Sequence, residues 1–86
     1  MRKAALSRRA ARELAKVRRW DRALCARLVA AMRSAAAEPA AGARLAGEWG
    51  GLRALRVGGC RLVYEPFRSR VVFLELGLGA RRALYR

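Results

Sequence analysis

Apolar residues along the first third of the chain recur with a helical period. Ala10, Leu14 and Val17 fall at i, i+4 and i+7, one stripe of a helix. Ser7 lies just upstream and has the side chain that caps a helix N-terminus by accepting an amide hydrogen bond. The pattern predicts a helix from residue 8 to about residue 18, with Arg8, Arg9, Arg12, Lys16 and Arg19 mostly off the apolar stripe. A second stripe follows in Leu24, Leu28 and Met32, with Ala31 alongside, behind a second capping residue, Asp21. This helix should stop near residue 37, because Pro39 cannot continue it and biases Glu38 away from the α region. Two amphipathic helices joined so closely predict an antiparallel helical hairpin.

Beyond Gly51 the period changes. Residues 52–57 read as a strand, Gly58-Gly59 as a two-residue turn of the positive-φ kind, and residues 60–65 as the returning strand. After a turn over residues 66–69, residues 70–76 are nearly all apolar, the mark of a strand covered on both faces. Residues 3–6 suggest a short edge strand, and residues 39–51, with Pro39 and four glycines, read as a loop anchored by Leu45 and Trp49. Trp20 and Trp49 are read as packing residues, and Tyr64, in register with Leu62, as core. Helices gathered ahead of consecutive strands predict a single α+β domain over residues 1–86. Its short N-terminal strand and helical hairpin would lie on one face of a mainly antiparallel sheet of about four strands. The other sheet face would then be open.

Charge changes the picture. Twenty Lys and Arg stand against six Asp and Glu, a formal net charge of +14. Such an excess attracts polyanions or an acidic partner, although a GC-rich genome also writes arginine freely. Cys25 and Cys60 form no CxxC pair and the chain has no histidine, so neither a zinc site nor any other cofactor is expected. No apolar run is long enough to span a membrane, and the first residues lack the apolar segment of a signal peptide, so a cytoplasmic location is expected.

Strand alternation puts Arg56 on the Leu52/Ala54 face and Arg61 on the Val63/Glu65 face, and across a tight hairpin these can share one sheet face. Arginine suits phosphate, because its planar fork binds oxygens in pairs and keeps its charge. It is a poor base for the same reason. With histidine absent, proton transfer would fall to Tyr85, whose arginine neighbours favour phenolate, or to Glu65, which can equally serve as a salt-bridge partner. Arg8, Arg9 and Arg12 read as a solvated helix face, with a second phosphate-contacting patch as the alternative.

Four segments, in order, resemble RelE/ParE toxins of type II toxin–antitoxin systems. They are the helix opening at residues 6–14, the linker at Pro39 and Leu45-Ala46-Gly47, the hairpin at residues 51–64, and the tail at residues 78–86. The resemblance implies a cognate antitoxin, acidic and encoded nearby. It implies one of two actions: cutting mRNA on the ribosome, or poisoning DNA gyrase without nuclease activity. It assigns Arg61, Arg81 and Tyr85 to catalysis in a nuclease and matches Arg56 to a family arginine; Arg53, Arg56, Arg82 and Arg86 are expected to bind nucleic acid. Leu52 and Ala54 stand where the nucleases often carry basic residues, and Ala80 where they often carry histidine. The expected activity is a ribosome-dependent mRNA endonuclease. The alternatives are a non-enzymatic gyrase poison or an inactive antitoxin-binding remnant.

Overall fold

The Ser7 side chain ties the first strand, the first helix and the last strand together. The structure, a computed structural model, describes residues 2–45 and 51–77. Strand β1 (Lys3–Leu6) runs into helix α1 (Arg8–Trp20), and the Ser7 hydroxyl between them accepts from the Ala10 amide at 3.0 Å. The same hydroxyl donates to the Leu74 carbonyl at 2.7 Å, and the Ser7 amide donates to the Phe73 carbonyl at 3.0 Å. Asp21 separates α1 from α2 (Arg22–Ala37) and caps the latter through the Leu24 amide at 3.0 Å. A 3-10 turn (Pro39–Ala41) follows, then strands β2 (Ala43–Arg44), β3 (Arg53–Val57), β4 (Cys60–Pro66) and β5 (Arg70–Glu75).

The sheet order is β1-β5-β4-β3-β2, with β1 parallel to β5 and every other pair antiparallel. The fifth strand beyond the expected four is β2, two residues held by one register step against β3. Gly58 and Gly59 both take positive φ, +50° and +85°, as the turn between β3 and β4 requires. Helix α1 runs two residues past the expected end, to Trp20.

The core lies between the hairpin and one face of the sheet. Val17, Leu24, Leu28 and Met32 from the helices meet Cys60, Leu62, Tyr64, Val71 and Phe73 from β4 and β5. A 13-residue helix is marginal alone, so packing rather than propensity holds α1 in place. Two expectations are corrected. Trp20 is not a packing residue: it ends α1, off the apolar stripe, and is 59% exposed. β5 is not covered on both faces: Val71 and Phe73 are buried under the helices, while Val72 and Leu74 are only half-buried on the other side.

Tyr64 fastens the loop to the sheet. Its ring is buried against Phe73, centroids 5.5 Å apart, and its hydroxyl donates to the Pro39 carbonyl at 2.6 Å while accepting from the Gly42 amide at 3.0 Å. Gly42 has no room for a side chain, because a Cβ there would overlap the Tyr64 hydroxyl. Burial raises the Tyr64 pKa above its ordinary 10.0, against the opposing effects of the Gly42 amide and the Arg53 charge. The folded chain therefore keeps this proton at a pH where the unfolded chain has released it. Stability from the neutral tyrosine is complete below about pH 10 and is lost as pH rises through the raised value.

Two predictions follow from these bonds. Tyr64→Phe should cost about 1–3 kcal/mol at pH 7, since it strands a buried amide. The gap from the parent should narrow as denaturant titrations move above pH 10, and a constant gap would contradict the assignment. Ser7→Ala should cost about 1–2 kcal/mol, measured in urea, because it removes a cap and an interstrand tie together.

Candidate functional site

The face of the sheet away from the helices is formed by the residues that alternate with the core: Ala54 and Arg56 from β3, and Arg61, Val63 and Glu65 from β4. Arg56 and Arg61 are direct cross-strand partners. Side chains so placed have Cβ atoms about 4.5–5.5 Å apart, and like charges there repel. Both residues are exposed, and among the described residues neither guanidinium has a salt bridge or hydrogen bond. The sequence thus keeps an unfavourable pair where the fold gains nothing from it.

Beside the pair lies a groove of about 520 Å³, lined by Arg9, Leu45, Leu52, Arg61, Val63, Leu74 and Glu75. Its shape depends on a bulge. Tyr64 pairs with Phe73 and Val63 with Glu75, which leaves Leu74 as an extra residue, so both Leu74 and Glu75 reach the groove. Leu45, Leu52, Val63 and Leu74 make it apolar, and Arg9, Arg61 and Glu75 provide its charge. Arg9 reaches over from α1 to Glu75 at 2.9 Å and lies 3.8 Å from Glu13, whose carboxylate in turn accepts from the Leu76 amide at 3.0 Å. Glu75, which lines the groove, and Glu13 are therefore engaged in holding α1 to the end of β5.

Arg61 is also fixed through its backbone. Its amide donates to the carbonyls of Leu76 and Gly77, at 3.1 and 3.0 Å. Gly77 takes φ +49°, and a Cβ there would lie 2.7 Å from the Arg61 carbonyl oxygen, so glycine is required where the chain leaves β5 beside Arg61.

The structure brings Arg56 and Arg61 together and sets Arg53 apart. Arg53 pairs across strands with Tyr64, on the helix side, and its guanidinium donates to the carbonyls of Gly42 and Ala40 at 2.6 and 3.4 Å. Arg81, Arg82, Tyr85 and Arg86 lie outside the described residues, as does Trp49. The carboxylate of Glu65 lies about 3.0 Å from where a Cβ on Gly51 would stand, and it makes no salt bridge among the described residues. The salt bridges are made instead by Arg9, Glu13 and Glu75. Sequence reasoning missed the groove: Leu45 read as a core anchor and Arg9 as a solvated cation, and only the bulge and the three-dimensional meeting of α1 with β5 assign them otherwise.

No helix among the described residues is long and apolar enough to cross a membrane. Among solved structures, the fold is similar to the YoeB/ParE toxin from Agrobacterium tumefaciens, with a TM-score of 0.78 at 21% identity over 87% of this chain and 95% of that one. It is also similar to a conserved hypothetical protein from Helicobacter pylori, with a TM-score of 0.64 at 21% identity over 90% of this chain and 93% of the other. At such identities the likeness is one of fold. No curated protein sequence matches the chain. The family model described as the ParE toxin of the type II toxin–antitoxin system parDE matches residues 4–83. That match spans nearly the whole chain, which therefore belongs to the RelE/ParE family of toxins, with a cognate antitoxin as the partner that membership implies.

Proposed function

We propose that the chain is a binding toxin of the gyrase-directed kind, and that it contacts its target through the open sheet face. One observation carries this reading: a cation pair, Arg56 and Arg61, borders an apolar groove whose one lining acid among the described residues, Glu75, is held by Arg9. Cutting RNA needs a base for the ribose hydroxyl and an acid for the leaving oxygen. Glu75 is held by Arg9, Tyr64 is buried on the opposite side with its hydroxyl engaged, and the chain has no histidine. Leu52 lines the groove where the nucleases often carry a basic residue. An apolar centre edged by arginine is the anatomy of a protein–protein interface, and the ParE description of the matching family supports the same reading. The cognate antitoxin would be an acidic, amphipathic segment that folds on this surface.

The mRNA endonuclease reading keeps a specific support of its own. Arg56 and Arg61 share a face, and the tail carries Arg81 and Tyr85 in the matching positions. On that reading the ribosome and mRNA are the partners. Gyrase and the ribosome are both cytoplasmic targets, which supports that location.

Purified toxin should inhibit supercoiling by purified gyrase, and its induction without antitoxin should raise DNA-damage signalling while messages stay whole. Unchanged supercoiling together with newly cut mRNA ends would decide for the nuclease. Arg56→Ala and Arg61→Ala should each weaken inhibition by roughly 10- to 100-fold, the worth of a charge-assisted contact of about 1.5–3 kcal/mol. Relief of the cross-strand repulsion should leave thermal stability equal or higher, by up to about 1 kcal/mol. Unfolding of both variants would mean that the pair is structural.

A further inference from the structure

The helical hairpin carries a second concentration of charge, on the side of the molecule away from the open sheet face. Residues 8–37 contain nine basic side chains and two acidic ones, Glu13 and Asp21. Both acids face inward in their bonding: Glu13 accepts from the Leu76 amide and Asp21 from the Leu24 amide. In α1 the buried side is set by Ala10 and Val17. At 100° per residue, Arg8, Arg12, Lys16 and Arg19 fall on the opposite side, and all four are exposed. They form one row about 16 Å long. Among the described residues none of the four is in a salt bridge, in contrast to Arg9.

Arg8 and Arg12, and then Arg12 and Lys16, are like-charge pairs at i, i+4, which destabilise a helix instead of supporting it. The outward residues among them are Ala11 and Ala15, too small to hold a partner off the helix. We infer that this row binds the phosphate backbone of double-stranded DNA without regard to sequence. A duplex presents one phosphate per about 1.7 Å of its axis, and a straight row of cations matches that line of charge. Asn and Gln, which pair with adenine edges, are absent from the chain, so base reading here is limited to arginine and lysine at guanine. The row's one aromatic neighbour on α1 is the exposed Trp20, i+4 from Lys16, a single ring where single-strand binding stacks successive bases. The row belongs to the helical layer and the arginine pair to the sheet, so DNA and the sheet-face target are met by different residues. This holds for either target considered above.

The test uses the full chain, purified, and a labelled random-sequence 20-base-pair duplex, with affinity read by fluorescence anisotropy across a salt series. The variant Arg8→Gln/Arg12→Gln/Lys16→Gln/Arg19→Gln should lower the slope of log K against log salt by about 3–4 and weaken binding by roughly tenfold or more at low salt. Arg12→Gln/Lys16→Gln should lower the slope by about half as much, and it serves if the fourfold variant fails to fold. Arg56→Ala/Arg61→Ala should leave most of the slope in place. An unchanged slope in both helix variants would overturn the inference. So would a slope lost with the sheet-face variant alone, or tighter binding to single-stranded RNA or to phosphatidylglycerol vesicles than to the duplex.

Discussion

Everything in this molecule rests on the alternation of β4. Cys60, Leu62 and Tyr64 turn toward the helices and are buried, while Arg61, Val63 and Glu65 turn away. Burying the first set drives folding, each large apolar side chain contributing on the order of 1.5–3 kcal/mol. Arg61 is thereby displayed without any contribution of its own, while Val63 is buried in the groove lining. A one-residue slip would bury Arg61 and expose Leu62 and Tyr64, so the register that builds the core also aims the arginines.

The rest of the structure holds that strand in place. Tyr64 fastens the 39–42 segment, Gly77 lets the chain turn close over the Arg61 carbonyl, and the Arg9–Glu75 and Glu13–Leu76 contacts hold α1 to the end of β5. These restraints converge on the groove next to Arg61. The result is a rigid apolar surface with cations along it, built from residues whose positions the core has already settled. A binding toxin needs little more than that. A nuclease would need a mobile proton as well, and Glu75, the acid that lines the groove among the described residues, is committed to holding the helix.

Much of this was legible in the chain because it is local. Ser7 and Asp21 cap their helices, Pro39 ends the second one, and Gly58-Gly59 turns the hairpin, each through the chemistry of one or two residues. The pairing of Arg56 with Arg61 also follows from a two-residue turn and alternation alone. What could not be read depends on distant segments. The bulge at Val63 and Tyr64 is a mismatch between two strands and not a property of either. Arg9 finds Glu75 only because α1 crosses the end of β5. Trp20 was misread because its apolar bulk suggested packing, whereas its position as the last residue of α1 leaves it in solvent. The family resemblance supplied the expected roles of Arg61 and Arg56, while the apolar groove beside them came only from the fold.

The central claim is that the open sheet face, and not the helical layer, meets the toxin's target. A photo-crosslinking residue placed at Ala54, beside the arginine pair, compared with one at the exposed Ala30 of α2, tests it most directly. Cross-linking to gyrase from position 54 and not from position 30 is the predicted result. Cross-linking to gyrase from position 30 alone, or from position 54 only to ribosomal components, would contradict the account.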